Sequence, residues 1–285
     1  MAIQNDTPSE LVTIDQDYLT RVQLRRAILE EKGSGVHGFT PDGVGAVGEL
    51  YTYLFEDYLP VRFPTVFRLS KDRATLTNLV TKKSFAVSPP KDSAEALKVI
   101  GETIEEDVFL LQETPDGHVC VAFVCCFPSG FDPSDKLGKN LNDIHKPVPS
   151  YGIIQNSMQR YLSRLVPGKS VKRVNWTVQT HKELCNISGN HINSEEEAAS
   201  MPKDVNIEET FMRSELQRLT RLPKSKAVLF SFKTYLYPVQ EIKDEGLGPK
   251  FAEAIEGMGK GNCPGMWTYK GAVRWSESVC RYLRS

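Results

Sequence analysis

The 285-residue chain carries five histidines, and one of them is mounted as a ligand would be. His145 closes a short polar helix and is followed at once by Lys146-Pro147-Val148-Pro149. The prolines stop the helix and hold the chain extended just past the imidazole. Such a mount suits a metal or cofactor ligand, and equally a helix C-terminal histidine favoured by the macrodipole. A second cluster, Arg213, Glu215, Gln217, Arg218 and Arg221, precedes Leu222-Pro223 and the long apolar and aromatic strand Ala227 to Tyr237. Unpaired charges beside a core cost several kcal/mol. These need partners, supplied either by a ligand bearing carboxylates or by a structural Arg–Glu network.

Arg173, Asn175 and Trp176 lie in VKRVNWTV, Val171 to Val178, whose alternation is that of a strand with one polar face. They could line a pocket or belong to an ordinary half-buried strand. Gly43-Val44-Gly45-Ala46-Val47-Gly48 fits the dinucleotide G-x-G-x-x-G pattern. The fingerprint needs a buried strand before it and an acidic residue about 20 positions on. Here a loop precedes it and Phe67-Arg68-Leu69 follows at that distance, so a glycine-rich helix start is the better reading. Cys263-Pro264 could offer a thiolate to haem, but an isolated Cys-Pro is weak, and the order of a phosphate loop is absent around it. His181 and His191 fall in the polar run His181 to Glu209, which reads as a long loop.

The elements that must position these residues follow from periodicity and punctuation. Helices are expected over Ile14 to Lys32, Glu49 to Tyr58, Ser93 to Ile104 with Ser93 as cap, Ile153 to Leu165, Leu247 to Met258 and Trp267 to Leu283. Strands are expected over Arg62 to Leu69 and Ser84 to Val87. Asp107 to Glu113 and His118 to Cys126 flank Thr114-Pro115-Asp116-Gly117 as a hairpin. The run Val119 to Phe127 reads as a strand buried on both faces, broken sharply at Pro128-Ser129-Gly130.

With 40% hydrophobic and 25% charged residues and a net charge of −1, the chain has the composition of an ordinary globular protein. One main domain with helical additions is expected. There is no basic footprint for nucleic acid. No run reaches the roughly 18 apolar residues that span a bilayer. The six cysteines lack paired Cys-x-x-Cys spacing, and three of them, Cys120, Cys125 and Cys126, sit in one apolar strand. A reducing, cytoplasmic setting is expected, leaving open a membrane anchor outside this chain.

The pattern Arg-x-Glu-x-Gln-x-Leu-x-Arg-Leu-Pro-x-Ser-x-Ala, here Arg213, Glu215, Gln217, Leu219, Arg221, Leu222, Pro223, Ser225 and Ala227, is followed by Lys233-Thr234-Tyr235. Together with Phe127-Pro128-Ser129, Ile144-His145-Lys146-Pro147-Val148-Pro149, Asn175-Trp176, the Asp17-Tyr18 to Arg26 helix and Arg62-Phe63-Pro64, in this order along nearly the whole chain, it resembles the haem-dependent oxidative N-demethylase-like family. The resemblance implies an α+β fold with a PAS-like antiparallel sheet as its core. A single haem-binding domain would cover residues 1–285, with an N-terminal helical region near 10–60 and a C-terminal helical extension near 245–285. It implies haem b and oxidation of a small secondary amine with O₂, releasing formaldehyde. Electrons would come from a separate flavin or iron–sulfur reductase as redox partner. The alternative is a haem-based gas or haem sensor without turnover; homo-oligomerisation is left open.

Haem needs an axial ligand, partners for two propionates and a distal pocket. His145 is the expected ligand, with Cys263 and His118 as rivals. Arg173 and Arg221 are expected at the propionates. Arg213 or Glu215 is expected on the distal side, delivering protons or orienting an amine cation, and Trp176 and Tyr235 packing on the macrocycle or meeting a cation.

Overall fold

A computed structural model describes residues 3–192 and 204–285. The expected α+β fold is present: helices surround an antiparallel seven-stranded sheet of order β1-β8-β9-β10-β6-β7-β2. Its strands are β1 (Gln4–Asp6), β2 (His37–Phe39), β6 (Asp107–Thr114), β7 (Gly117–Val124), β8 (Ser170–Gln179), β9 (Phe211–Arg221) and β10 (Val228–Pro238). Both edge strands are only three residues long, which blunts the edges against further pairing. Strands β3 (Phe67–Leu69), β4 (Thr75–Asn78) and β5 (Ser84–Ala86) form a separate small sheet.

The helices are α1 (Tyr18–Lys32), α2 (Val44–Thr52), α3 (Leu59–Arg62), α4 (Ser93–Gly101), α5 (Leu141–Ile144), α6 (Tyr151–Arg164), α7 (Val239–Asp244), α8 (Gly248–Gly257), α9 (Gly265–Tyr269) and α10 (Ala272–Arg284). Most expected elements recur with shifted ends. Asp92, rather than Ser93, caps α4 by accepting from the Ala94 amide. The expected strand from Arg62 starts only at Phe67, because Arg62 still belongs to α3. The expected terminal helix is two, parted at Gly271, whose φ of 69° favours glycine. Residues 193–203 of the expected long loop lie outside the described residues; before them 180–192 contains neither helix nor strand, and after them Ile207–Glu209 forms a 3-10 helix.

Gly43 explains the glycine-rich segment. A Cβ there would lie 2.3 Å from the Val121 carbonyl oxygen, so glycine is needed for the start of α2 to approach β7, while Gly45 and Gly48 have nothing within 4 Å. The segment seats a helix against a strand.

Residues opposite each other in the sheet share a face. One face, the outer, carries Val108, Leu110, Ala122, Val124 and Leu229, packed under α1, α2 and α4 in the main core. The other, inner face carries Phe109, Phe123, Leu219, Phe230 and Phe232 toward α5 and α6. A third core joins the far end of β8 to α7, α8 and α10 around the fully buried Trp275.

Two buried ionic links stitch these layers. Arg25 of α1 lies 2.6 Å from Asp107, and it also donates to the Gly101, Glu105 and Glu106 carbonyls. Lys233 of β10 meets Glu105 at 2.8 Å and Asp15 at 2.9 Å. Beside it, Glu106 is fully buried; it accepts from the Thr13 amide, and burial raises its pKa to about 7.

Asp107→Ala strands Arg25 without its counter-charge, and urea denaturation is expected to show a loss of about 3–5 kcal/mol. A loss under about 1 kcal/mol would mean that the carbonyls alone carry Arg25. Glu106, with its folded-state pKa raised above the unfolded value, holds a proton that the unfolded chain has released. Its contribution to stability is therefore full below about pH 4.5 and is lost as pH rises through about 7. Glu106→Gln should flatten the fall in stability across that window relative to the unsubstituted chain.

Candidate functional site

Chemistry collects on the inner face of the sheet. Its polar end is written by strand register: Arg173 lies opposite Gln217, Asn175 opposite Glu215, and Thr177 opposite Arg213. Because these positions alternate in β8 and β9, all point to one side. The apolar end is an aromatic floor in which Phe109 meets Phe123, Phe131, Phe230 and Phe232 at ring distances of 5.8–6.5 Å. Phe131, Leu219 and Phe230 remain only half-buried, so this floor is not closed by the helices above it. A small cavity of about 20 Å³ lies between Arg173, Gln217, Leu219 and Phe230.

His145 stands in the wall over this floor. Asn140 caps α5 by accepting from the Asn142 and Asp143 amides. Leu141 and Ile144 pack onto the aromatic cluster. At the C-cap, the His145 ring folds back so that Nδ1 lies 2.8 Å from the Leu141 carbonyl oxygen, and the ring stacks on Tyr151 at 4.7 Å. A carbonyl partner requires the proton on Nδ1, which leaves the Nε2 lone pair free. Burial holds the imidazole pKa below its usual value, and the Leu141 bond opposes this in part. The neutral, ligating form therefore prevails at pH 7.

A second histidine repeats this arrangement, and the sequence pattern misses it. His191 Nδ1 lies 3.2 Å from the Gly130 carbonyl oxygen, its ring stacks on Tyr269 at 4.3 Å, and burial lowers its pKa. Gly130, at φ 72°, would place a Cβ 2.9 Å from His191 Nδ1, so only glycine allows this contact. The one hint in the sequence is Gly130 just after the β7 break; the contact spans 61 residues. Lys136 lies near both imidazoles, and Glu215 and Lys270 near that of His191.

The other expected site residues divide sharply. Arg173 is on the inner face, where Nε donates to Gln217 Oε1 at 2.6 Å; burial pulls its pKa down against the pull of Glu215. Glu215 is buried and accepts from Gln217 Nε2 at 3.0 Å and Asn175 Nδ2 at 3.3 Å. Arg213 is also on this face, but its guanidinium is engaged by the Phe127 and Leu184 carbonyls and lies 3.6 Å from Glu215. Its terminal nitrogens hold the loops, while its buried Nε, without a hydrogen bond of its own, faces Glu215.

Arg221 is turned away from the cleft. It donates to the Leu162, Leu165 and Lys226 carbonyls and so caps the C-terminal end of α6. Trp176 and Tyr235 lie on the outer face, where each ring meets a cation of the chain, Lys270 at 5.3 Å and Lys233 at 5.4 Å. Trp176 packs edge-on against Phe251 at 5.4 Å, and Tyr235 stacks with Tyr237 at 6.1 Å. One residue of strand offset from Arg173 and Glu215 is enough to invert their direction.

Of the rival ligands, Cys263 donates its thiol to the Pro149 carbonyl at 3.2 Å. His118 is 1% exposed and holds Gln159 of α6 at 2.8 Å, at the turn end of the hairpin. A larger open groove of about 340 Å³ is lined by other residues, among them His181, Cys185 and Arg274. There His181 has Nε2 3.1 Å from Asn190 and Nδ1 accepting from the Glu183 amide, which leaves no imidazole lone pair.

The family model described as haem-dependent oxidative N-demethylase, alpha subunit-like matches residues 2–280, and the chain belongs to this family. The residues of the inner face fit such a cofactor. An imidazole with Nδ1 fixed by a carbonyl is the arrangement that orients a metal-bound histidine. The half-covered aromatic floor suits a flat macrocycle. Burial lowers the pKa of Arg173 against the pull of Glu215, and that of Lys136 against Asp135 and Asp132, so both are desolvated cations beside which two propionates would be favourably placed.

Gly130→Ala is expected to cost about 1–3 kcal/mol, through a strained positive φ and the clash with His191. Displaced from its buried seat, His191 should titrate closer to 6.5, which ring-proton NMR would read. An unchanged His191 titration would mean that this contact does not fix the ring.

Proposed function

We propose that this chain is a haem b-dependent monooxygenase that removes a methyl group from a small secondary amine with O₂, releasing formaldehyde. Electrons come from a separate flavin or iron–sulfur reductase. The observation that carries this reading is His145: neutral, stacked, tied at Nδ1 and open at Nε2, beside an aromatic floor edged by cations. Haem, when bound, supplies reductive activation of O₂ and oxygen insertion.

The chain's own groups supply the rest. His145 would hold the haem iron through Nε2, its Nδ1–H bond to Leu141 fixing the ring and raising its basicity. Arg173 and Lys136 would meet the propionates. The Phe109 cluster excludes water and gives the N-methyl groups an apolar berth. Glu215, buried and anchored by Gln217 and Asn175, attracts the substrate ammonium, since a carboxylate in a low dielectric favours a cation more than water does. His191, whose Nε2 has no hydrogen bond among the described residues, is placed to pass a proton between the cleft and Glu215. The six free thiols suit a reducing cytoplasm.

The purified protein is expected to show a Soret band and, with a reductase, O₂ and dimethylamine, to yield formaldehyde. His145→Ala should abolish the axial signature in absorption and EPR; if that signature survives, the ligand is another residue. Glu215→Gln should keep the haem spectrum while lowering kcat/KM by about 10²–10⁴-fold. A haem-replete protein silent towards a panel of secondary amines would overturn the demethylase reading.

A further inference from the structure

We propose that Lys270 is an imine-forming lysine that captures a small aldehyde where the cleft meets the free edge of β8. The source of the aldehyde rests on the demethylase reading above; the reactivity of the amine does not.

Lys270 differs from Arg25, Lys233 and Arg218 in what holds it. Arg25 has Asp107, Lys233 has Glu105 and Asp15, and Arg218 has Asp6, all within 3.1 Å. Lys270 Nζ instead donates to the Trp176 carbonyl and, at 3.3 Å, to Asn175 Oδ1, and it sits 5.3 Å from the Trp176 ring centre. No carboxylate pairs with it among the described residues. Burial, with Arg173 adding to it, brings its pKa down to about 8, and Glu215 opposes this only in part. At pH 7 about one Lys270 in ten is then a neutral amine, against fewer than about one in a thousand for an ordinary lysine. A desolvated lysine with one flank against an aromatic ring is the form that attacks carbonyl carbon.

Its position is also fixed. Lys270 ends α9, its carbonyl accepts from Nε1 of the fully buried Trp275 at 3.2 Å, and Gly271 turns the chain at φ 69°. The Nζ is therefore held beside Asn175, directly across the strand pair from Glu215. An aldehyde leaving the inner face past Glu215 meets this amine at the rim.

The chemistry closes without another reactant. The neutral amine adds to the carbonyl carbon, forming the N–C bond while its proton passes to oxygen, giving a carbinolamine. Loss of water leaves the methylene imine, and rehydration returns the aldehyde and the amine. Only small, unhindered aldehydes suit a nitrogen this enclosed.

The full-length, haem-loaded protein is treated briefly at pH 7 with ¹³C-formaldehyde and cyanoborohydride, which reduces any imine to a methylamine, and the peptides are read by mass spectrometry. Lys270 is expected to be methylated at least about tenfold faster than the exposed Lys182, Lys224 and Lys250, with a rate that levels off above about pH 8. Lys270→Arg keeps charge and hydrogen bonding, and should lose this label alone while retaining the Soret band. Labelling of Lys270 no faster than that of the exposed lysines overturns the proposal. The two readings fail separately: absence of formaldehyde from amines removes the demethylase while labelling stands, and formaldehyde production without preferential labelling removes Lys270.

Discussion

One buried carboxylate, Asp107, ties the sheet to both its layers. It takes the Arg25 guanidinium at 2.6 Å on the α1 side and, at the other end, accepts from the Cys126 and Phe127 amides at 2.7 and 2.9 Å. Those amides belong to the residues just past β7, where the chain leaves the sheet for the Pro128-Ser129-Gly130 turn. The Phe127 carbonyl in turn accepts from Arg213, whose neighbour on the strand face is Glu215. A continuous polar chain thus runs from α1, through the end of β7, to the carboxylate of the cleft. Its members are nearly all buried, so each lost link exposes an unsatisfied charge in low dielectric.

The same turn holds one imidazole and leads on to the other. Downstream it leads to α5 and His145; across the fold the Gly130 carbonyl takes the Nδ1–H of His191. The cleft is therefore built from segments remote in sequence but anchored to one strand end. Its electrostatics follow from burial. Arg173, Lys136 and Lys270 are all partly stripped of water; Glu215 offsets this for Arg173 and Lys270, and Asp135 and Asp132 for Lys136. A site with cations in excess is disposed toward anionic groups at its rim, while the aromatic floor remains suited to a flat apolar ligand.

Much of this was written locally. The Pro-Asp-Gly turn places β6 against β7 in the expected hairpin, and the alternation of Val171 to Val178 returns as β8. His145 does close a short helix, but the segment after it folds as turns, with the Val148 amide donating to the His145 carbonyl at 2.9 Å, rather than running extended as the prolines imply; the ring is held by the Leu141 carbonyl and Tyr151 instead. Local signals reached their limit where facing matters. Arg173 and Glu215 share the inner face, whereas Trp176 and Tyr235, one position out of phase, face away. Charge counting marked Arg213 to Arg221 as needing partners, but partners differ: Arg221 spends its donors on α6 carbonyls and Arg218 on Asp6.

The sequence by itself determined the α+β class, the hairpin, the place of His145 at a helix end and membership of its family, because periodicity, turn chemistry and ordered motifs are short-range properties. Only the tertiary structure decided which side of the sheet carries the candidate site, that His191 and His145 both lie near Lys136 although they are more than forty residues apart in the chain, and that Lys270 reaches β8 from the C-terminal helices. These depend on strand register and on packing between distant segments, where a shift of one residue reverses every side chain and no local pattern records the outcome.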